Sequence, residues 1–378
     1  MPDNPQFLFT TCQIGAEGAL KRELAREWPD FRFAYSRPGF LTFKLPAEHG
    51  LADDFNLRSV FARSYGFSLG KVSGDNYDEA ARATWELYAE RPAGRLHVWA
   101  RDSSGSEAGG VGPALTEKVI EAEAAIRRNC SQPELLEPND VTTPEPARRS
   151  ELVLDCVLVE PNEWWVGYHR VRSVASRWPG GILPLELPDD AVSRAWLKME
   201  EALRWSELPI SEGAKCAEIG SAPGGASQAL LSHGFYVTGI DPAEMHPDVL
   251  GHPRFTHIRR RVIQVRRREF RKIRWLTADM NVSPKYTLDA VEEIVTHREI
   301  RIRGMLLTLK PLEWARTDEI PDFLRRIRGW GFEMVSARQL QHNRQEICVA
   351  ALRKAPRPAS SRRHRRRRPH TGSHSGRT

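Results

Sequence analysis

Cysteine is scarce in this chain, long apolar runs are missing, and one stretch has no acid at all. Five cysteines are spread over 378 residues: Cys12, Cys130, Cys156, Cys216 and Cys348. Their number is odd and no C-x-x-C pair occurs, which argues against a disulfide framework or a zinc site and fits a reducing compartment. No run of 18 apolar residues is present, so neither a transmembrane helix nor a membrane partner is expected. The first nine residues show no basic start followed by an apolar stretch, so no secretory signal is read and a cytoplasmic location is expected. No internal repeat and no obligatory protein partner is evident.

What is present points to more than one domain. A length of 378 residues exceeds one ordinary domain, and a 40% hydrophobic fraction suffices for cores. Of the net charge of +7, residues 357–378 contribute eight arginines and no acid, so the rest of the chain is near neutral. That tail, with Arg362, Arg363 and Arg365 to Arg368, is also rich in Pro, Ser, Gly and His and cannot bury a core. It reads as disordered: an arm for RNA phosphates, or a solvated tail with no specific role. A second basic block holds Arg259, Arg260, Arg261, Arg266, Arg267, Arg268, Arg271, Lys272 and Arg274, with Glu269 alone opposing it in sequence. A solvated helix face mixes signs, so an RNA-facing role is expected for this block.

Residues 1–52 read as a small α+β subdomain, with a strand at 7–11, a helix at 17–28 and two strands around the turn dipeptide Pro38-Gly39. A second α+β stretch at 53–172 has helices near 78–90 and 115–128, strands at 95–100 and 151–160, and a hairpin partner at 164–169. Between them, 131–149 is rich in Pro and acid and reads as a surface loop. From 173 to 355 helices alternate with short apolar strands. The expected strands are 215–219, 236–240, 275–278, 304–309, 334–340 and 346–352. This pattern predicts a largely parallel, Rossmann-like α/β sheet with helices on both faces and ligands beyond the carboxyl ends of the strands. Residues 356–378 form the tail.

After the strand at 215–219 comes a glycine turn, Gly220-Ser221-Ala222-Pro223-Gly224-Gly225, and then a helix. Small residues let the backbone approach a ligand, and a helix N-terminus offers free N–H groups. Asp241 follows the next strand, where an acid suits the two hydroxyls of an adenosine ribose. A dinucleotide site normally shows G-x-G-x-x-G. The G-x-x-x-G-G spacing here, with Pro223 inside it, favours S-adenosylmethionine, which needs no pyrophosphate cradle. A purely structural turn is the competing account.

Five blocks carry a resemblance: 193–198, 222–228, 278–280, 308–311 and 337–346. In this order they resemble the FtsJ-type RNA 2′-O-ribose methyltransferases, and most nearly the bacterial branch that modifies a cytidine ribose of large-subunit ribosomal RNA. That branch carries an N-terminal THUMP RNA-binding domain, to which 11–15, 17–21 and 58–66 are similar, so 53–172 is expected to be THUMP-like. The resemblance is dense over 190–352 and thinner before. It implies S-adenosylmethionine as cofactor, held by Gly220, Ala222, Pro223, Gly224, Gly225, Asp241 and Asp279. Large-subunit ribosomal RNA or its assembly intermediate is the implied partner, and no metal is implied. The family's Lys-Asp-Lys-Glu tetrad falls on Lys198, Asp279, Lys310 and Glu346. A lysine serves as base when its pKa is depressed, which burial and a second ammonium promote. Lys310 is thus expected as the base, with Lys198 orienting the ribose and tuning Lys310. Glu346 would hold the lysines, and Asp279 would position cofactor and hydroxyl. One departure stands out: the family usually places an acid beside the adenine where this chain has Arg259-Arg260-Arg261. Other readings are a non-catalytic RNA-binding protein that kept the fold, and a 2′-O-methyltransferase acting on transfer RNA or an mRNA cap.

Overall fold

The computed structural model describes residues 5–46, 51, 55–89, 94–101, 117–133, 136–137, 145–160, 162–310 and 314–354. The arginine-rich tail and residues 134–135 and 138–144 of the expected loop at 131–149 lie outside these residues.

The N-terminal half is built on one seven-stranded sheet. Its strands are β1 (Phe7–Thr11), β2 (Arg32–Arg37), β3 (Phe40–Lys44), β4 (Ser64–Ser73), β5 (Arg95–Ala100), β6 (Leu152–Glu160) and β7 (Glu163–Arg170), in the order β2-β3-β1-β4-β7-β6-β5. The expected boundary at 52/53 falls between β3 and β4, yet β1 pairs antiparallel with both, Phe9 opposite Thr42 on one side and Gly66 on the other. The expected hairpin forms between β6 and β7, with Asp155 opposite Gly167. Helices α1 (Glu17–Glu27), α2 (Tyr77–Tyr88) and α3 (Glu117–Arg128) cover one face, where Leu8, Leu41, Phe67, Leu96 and Leu154 alternate inward. The other face carries Phe9, Phe40, Trp99, Val157 and Val159.

The C-terminal half is a second seven-stranded sheet. It comprises β8 (Lys215–Ile219), β9 (Tyr236–Ile240), β10 (Phe255–Ile258), β11 (Trp275–Ala278), β12 (Gly304–Leu309), β13 (Met334–Arg338) and β14 (Ile347–Leu352). The order is β10-β9-β8-β11-β12-β14-β13. Strands β8 to β12 run parallel, and β14 is antiparallel to both β12 and β13. Buried on both faces, the parallel strands read as short apolar runs, which is why β11 and β12 coincide with their expected bounds. Alternate residues serve opposite faces. Cys216, Leu306 and Cys348 pack under α4 (Ala195–Ser206) and α5 (Gly225–Ser232), whose Met199, Ala202, Ala229 and Leu230 share that core. Ala217, Met305, Leu307 and Val349 face α7 (Pro284–Val295) and α8 (Ile320–Gly329) through Leu288, Val291, Ile294 and Ile327, and the one-turn α6 (Pro247–Leu250) lies between β9 and β10. The strand order reverses between β8 and β11, and in such sheets that switch point, at the carboxyl ends, is where a ligand crevice opens.

The halves are joined by specific contacts. The Gln339 amide donates to the Val60 carbonyl at 2.7 Å, and Arg338 donates to the Arg63 carbonyl. On α1, Arg22 donates to Thr317 and pairs with Asp318 at 3.4 Å.

Candidate active site

At the switch point, Gly220 follows β8 and Asp279 follows β11. The Gly220 amide donates to Ile240 at 2.9 Å, and the Asp279 amide donates to Ile219 at 3.0 Å, so both turns are continuations of the sheet ladder. Gly220 has φ +81, and a Cβ there would sit 2.5 Å from the Asp279 carbonyl oxygen, so glycine is required. Gly224, at φ +124, opens α5. The crevice above these turns encloses about 650 Å³, within the usual size of a small-molecule site. Gly220, Ala222, Pro223, Gly225, Asp241, Asp279 and Lys310 all line it.

Four charged side chains cluster at one end of the crevice, Asp279 and Lys310 lining it and Lys198 and Glu346 packed behind them. Lys198 stands on the first turn of α4, Lys310 directly follows β12, and Glu346 directly precedes β14. The last β12–β14 pair is Leu309 opposite Ile347, so the antiparallel register brings Lys310 and Glu346 side by side. Lys198 Nζ lies 2.6 Å from Glu346 Oε2 and 3.9 Å from Asp279 Oδ2, while Lys310 Nζ lies 3.0 Å from Asp279 Oδ1 and 3.4 Å from Glu346 Oε1. Lysines and acids therefore alternate around a closed ring with no net charge. Residues up to 148 apart along the chain meet here, as the sequence pattern predicts.

The electrostatics differ from expectation at Lys310. Burial pulls its pKa down, but the Asp279 and Glu346 carboxylates outweigh burial and the net shift is upward. The expected depression by a second ammonium is not found because Lys198 sits against Glu346, and both acids flank Lys310 instead.

Several residues of the crevice carry no clear signal in the sequence pattern. Glu218, on β8 one residue before the last, is 1% exposed, lines the crevice and accepts a hydrogen bond from Ser227. Burial pushes its carboxyl up to about 8, against the Ser227 hydrogen bond and with help from the charges of Asp279 and Asp241. An acid just before a glycine turn was its only signature. Glu201, on α4 beyond Lys198, accepts the amides of Gln341 at 2.8 Å and His342 at 3.0 Å and so anchors the loop that delivers Glu346. Asn281 and Tyr286 line the crevice near Asp279.

The opposite end is differently made. Asp241 accepts the Ala222 amide at 3.2 Å and the Ala243 amide at 2.8 Å, one on each carboxylate oxygen. Each oxygen keeps a second lone pair, which suits it to a ligand's hydroxyls. Arg260, Arg261 and Val262 line this end. Of the basic block, Arg259 pairs with Glu244, Arg267 with Glu293 and Arg271 with Glu299, besides Arg268 with Glu269. The expectation that Glu269 alone opposes the block is corrected: acids remote in sequence fold onto it. Arg260, Arg261 and Arg266 have no ion pair among the described residues.

Residues 191–320 match the family model described as FtsJ-like methyltransferase. Among curated proteins, a ribosomal RNA large subunit methyltransferase M of Xylella fastidiosa (strain 9a5c) is 34% identical over 193 residues, 49% of this chain and 54% of that protein. Its namesake in Laribacter hongkongensis (strain HLHK9) is 30% identical over 201 residues, 50% of this chain and 54% of the relative. Another, from Halorhodospira halophila (strain DSM 244 / SL1), is 28% identical over 365 residues, 92% of this chain and 96% of the relative. The chain thus spans about half the length of the first of these relatives and nearly all of the last.

Proposed function

We propose that this chain transfers a methyl group from S-adenosylmethionine to a ribose 2′-hydroxyl of large-subunit ribosomal RNA, at a cytidine; the match of residues 191–320 to the FtsJ-like methyltransferase family model supports the reaction class. The observation that carries this reading is the closed Lys198–Glu346–Lys310–Asp279 ring at the mouth of a glycine-lined crevice. Likeness to proteins named ribosomal RNA large subunit methyltransferase M supports the RNA class. The N-terminal half, THUMP-like at 53–172, holds the RNA in this reading. Reaction and partner place the chain in the cytoplasm.

The crevice fits the cofactor by its own features: a backbone floor that no side chain could occupy at Gly220, and a carboxylate, Asp241, with free lone pairs. S-adenosylmethionine, when bound, supplies the electrophilic methyl. Gly220, Ala222, Pro223 and Gly225 line the crevice and would admit it closely, with Gly224 shaping the turn into α5; Asp241 would accept hydrogen bonds from its ribose hydroxyls, and Asp279 would position both it and the hydroxyl to be methylated.

Lys310 takes the hydroxyl proton. Its raised pKa makes neutral Lys310 a stronger base but a rarer one, since Asp279 and Glu346 hold its proton in the free ring. A positive charge brought beside Asp279 draws on that same carboxylate and eases deprotonation of Lys310. When the hydroxyl proton passes to Nζ, the two carboxylates are already in place to stabilise the ammonium. Lys198, tied to Glu346, keeps that acid oriented and faces the incoming ribose. Holding both reactants in one crevice contributes the rest of the rate.

Mapping ribose methylations in total RNA with and without this protein tests the reading. One large-subunit ribosomal cytidine should lose its 2′-O-methyl group and regain it on re-expression. Loss confined to a transfer RNA would redirect the substrate, and an unchanged map would overturn the proposal.

A further inference from the structure

On the sheet face of the N-terminal half turned away from its helices, three adjacent strands bring together His97 on β5, Asp155 on β6 and His169 on β7. One ligand atom from each lies within 4.8 Å of the others. All three are buried, His97 at 2% and Asp155 at 0% exposure. Buried ionisable groups are costly unless each polar atom is paired. Here the pairing is incomplete: neither ring nitrogen of His97 has a hydrogen-bond partner among the described residues, and neither does Asp155 Oδ1.

His169 sharpens the point. Its Nε2 lies 2.8 Å from the Ser176 carbonyl, an acceptor, so that nitrogen carries a hydrogen. Its Nδ1 lies 2.6 Å from Asp155 Oδ2, so either a proton or a metal ion is shared across that contact. A second proton on Nδ1 would serve His169 and Asp155 Oδ2 while leaving His97 and Asp155 Oδ1 unsatisfied. One multivalent cation coordinated by all three side chains serves the whole cluster.

We propose that His97, Asp155 and His169 form a binding site for a single divalent first-row transition-metal ion, zinc on the strength of its two-imidazole, one-carboxylate donor set. The surroundings agree. The Nε2–H bond from His169 to Ser176 is the outer hydrogen bond that commonly fixes the tautomer of a ligating histidine. The charge of Arg95, two residues from His97, is offset by Glu151 at 3.5 Å. Asp155 and His169 border the cleft between the two halves, about 840 Å³, which provides an entry path and a fourth coordination position. Ser176 belongs to the Ala175–Arg177 turn on the segment leading into the C-terminal half, so the ion braces the sheet against that connection.

The test uses the full chain, stripped with chelator and resupplied with zinc or cobalt(II). Zinc per chain is measured by mass spectrometry, together with the visible spectrum of the cobalt form and the melting temperature. Wild type should hold one tightly bound zinc, show the intense low-symmetry cobalt bands of a site with fewer than six ligands, and melt several degrees higher with zinc. His97→Gln and Asp155→Asn should weaken binding by about 100-fold or more. Equal zinc uptake by wild type and His97→Gln would overturn the proposal, because other histidines would then be the binders. So would a wild-type cobalt spectrum indistinguishable from the hexaaqua ion, a result that needs no variant to fold.

Discussion

The two ends of the crevice are built on different principles. At the tetrad end every charged group is anchored by a strand end or a helix turn, and each acid faces two lysines. At the other end, Asp241 is held by loop amides and the neighbouring arginines, Arg260 and Arg261, project without acidic partners among the described residues. Register sets the first end, and a one-residue slip between β12 and β14 would scatter it. The second end depends on loops, where side chains can change without disturbing the sheet. In the proposed reaction the tetrad end needs close placement of reacting groups, whereas recognition of an adenosine at the other end tolerates several solutions. That contrast accounts for a regular tetrad beside an irregular adenosine end.

The contrast can be broken first at Lys310. Lys310→Ala should lower kcat by about 10²–10⁴-fold, with S-adenosylmethionine affinity by calorimetry left within about threefold. A comparable loss of affinity would show that the two ends are not separable. Next comes pH. Because its carboxylate neighbours raise the Lys310 pKa, the free protein holds Lys310 protonated at neutral pH. Accordingly kcat/KM should climb about tenfold per unit from pH 7 towards the ordinary lysine value of about 10.4, without a plateau below pH 9. The kcat profile should level off at lower pH, since the loaded crevice eases deprotonation. A plateau in kcat/KM near pH 7 would contradict the upward shift.

At the adenosine end, Asp241→Ala should weaken cofactor binding by about 10–100-fold through lost hydrogen bonds to a charged acceptor, with kcat at saturation nearly unchanged. Between the ends, Glu218 makes a stability prediction. Its carboxyl is raised from 4.5 to about 8 in the folded chain, so its favourable contribution is full below the unfolded pKa and is lost as pH rises through the folded value. Wild type should lose melting temperature between pH 5 and 8, by about 2–4 °C for each kcal/mol. Glu218→Gln, which cannot ionise, should show a flatter profile and melt above wild type at pH 8. The smallest effect is expected at the arginines. Arg260→Ala with Arg261→Ala should leave cofactor affinity within about threefold while reducing the salt slope of RNA binding by about 2.

Much of this was legible in the residues. The buried strands β11 and β12 announce themselves as apolar runs bounded by breakers, and the tetrad and glycine turn follow in the order that a parallel sheet converts into one cleft. What was not legible depends on contacts across the fold. The upward shift at Lys310 requires knowing that acids flank it on both sides. Of the acids that pair with the basic block, Glu293 and Glu299 come from α7 and the turn after it, and Glu244 from the loop after β9. Strand β10 is four residues long and only half-buried, too short for a period to show. His97, Asp155 and His169 lie on three separate strands, and no linear spacing joins them. A search for metal sites through cysteine pairs passes over such a cluster.

Activation of a ribose hydroxyl by the ring around Lys310 can be read out by incubating the protein with unmodified large-subunit ribosomal RNA and S-adenosylmethionine carrying a labelled methyl group, then digesting the RNA with alkali. A 2′-O-methyl group blocks cleavage at its own nucleotide, so the label should appear in an alkali-resistant dinucleotide beginning with cytidine. It should vanish with Lys310→Ala. Label recovered on mononucleotides, which would mean base methylation, or transfer undiminished by Lys310→Ala would contradict the account.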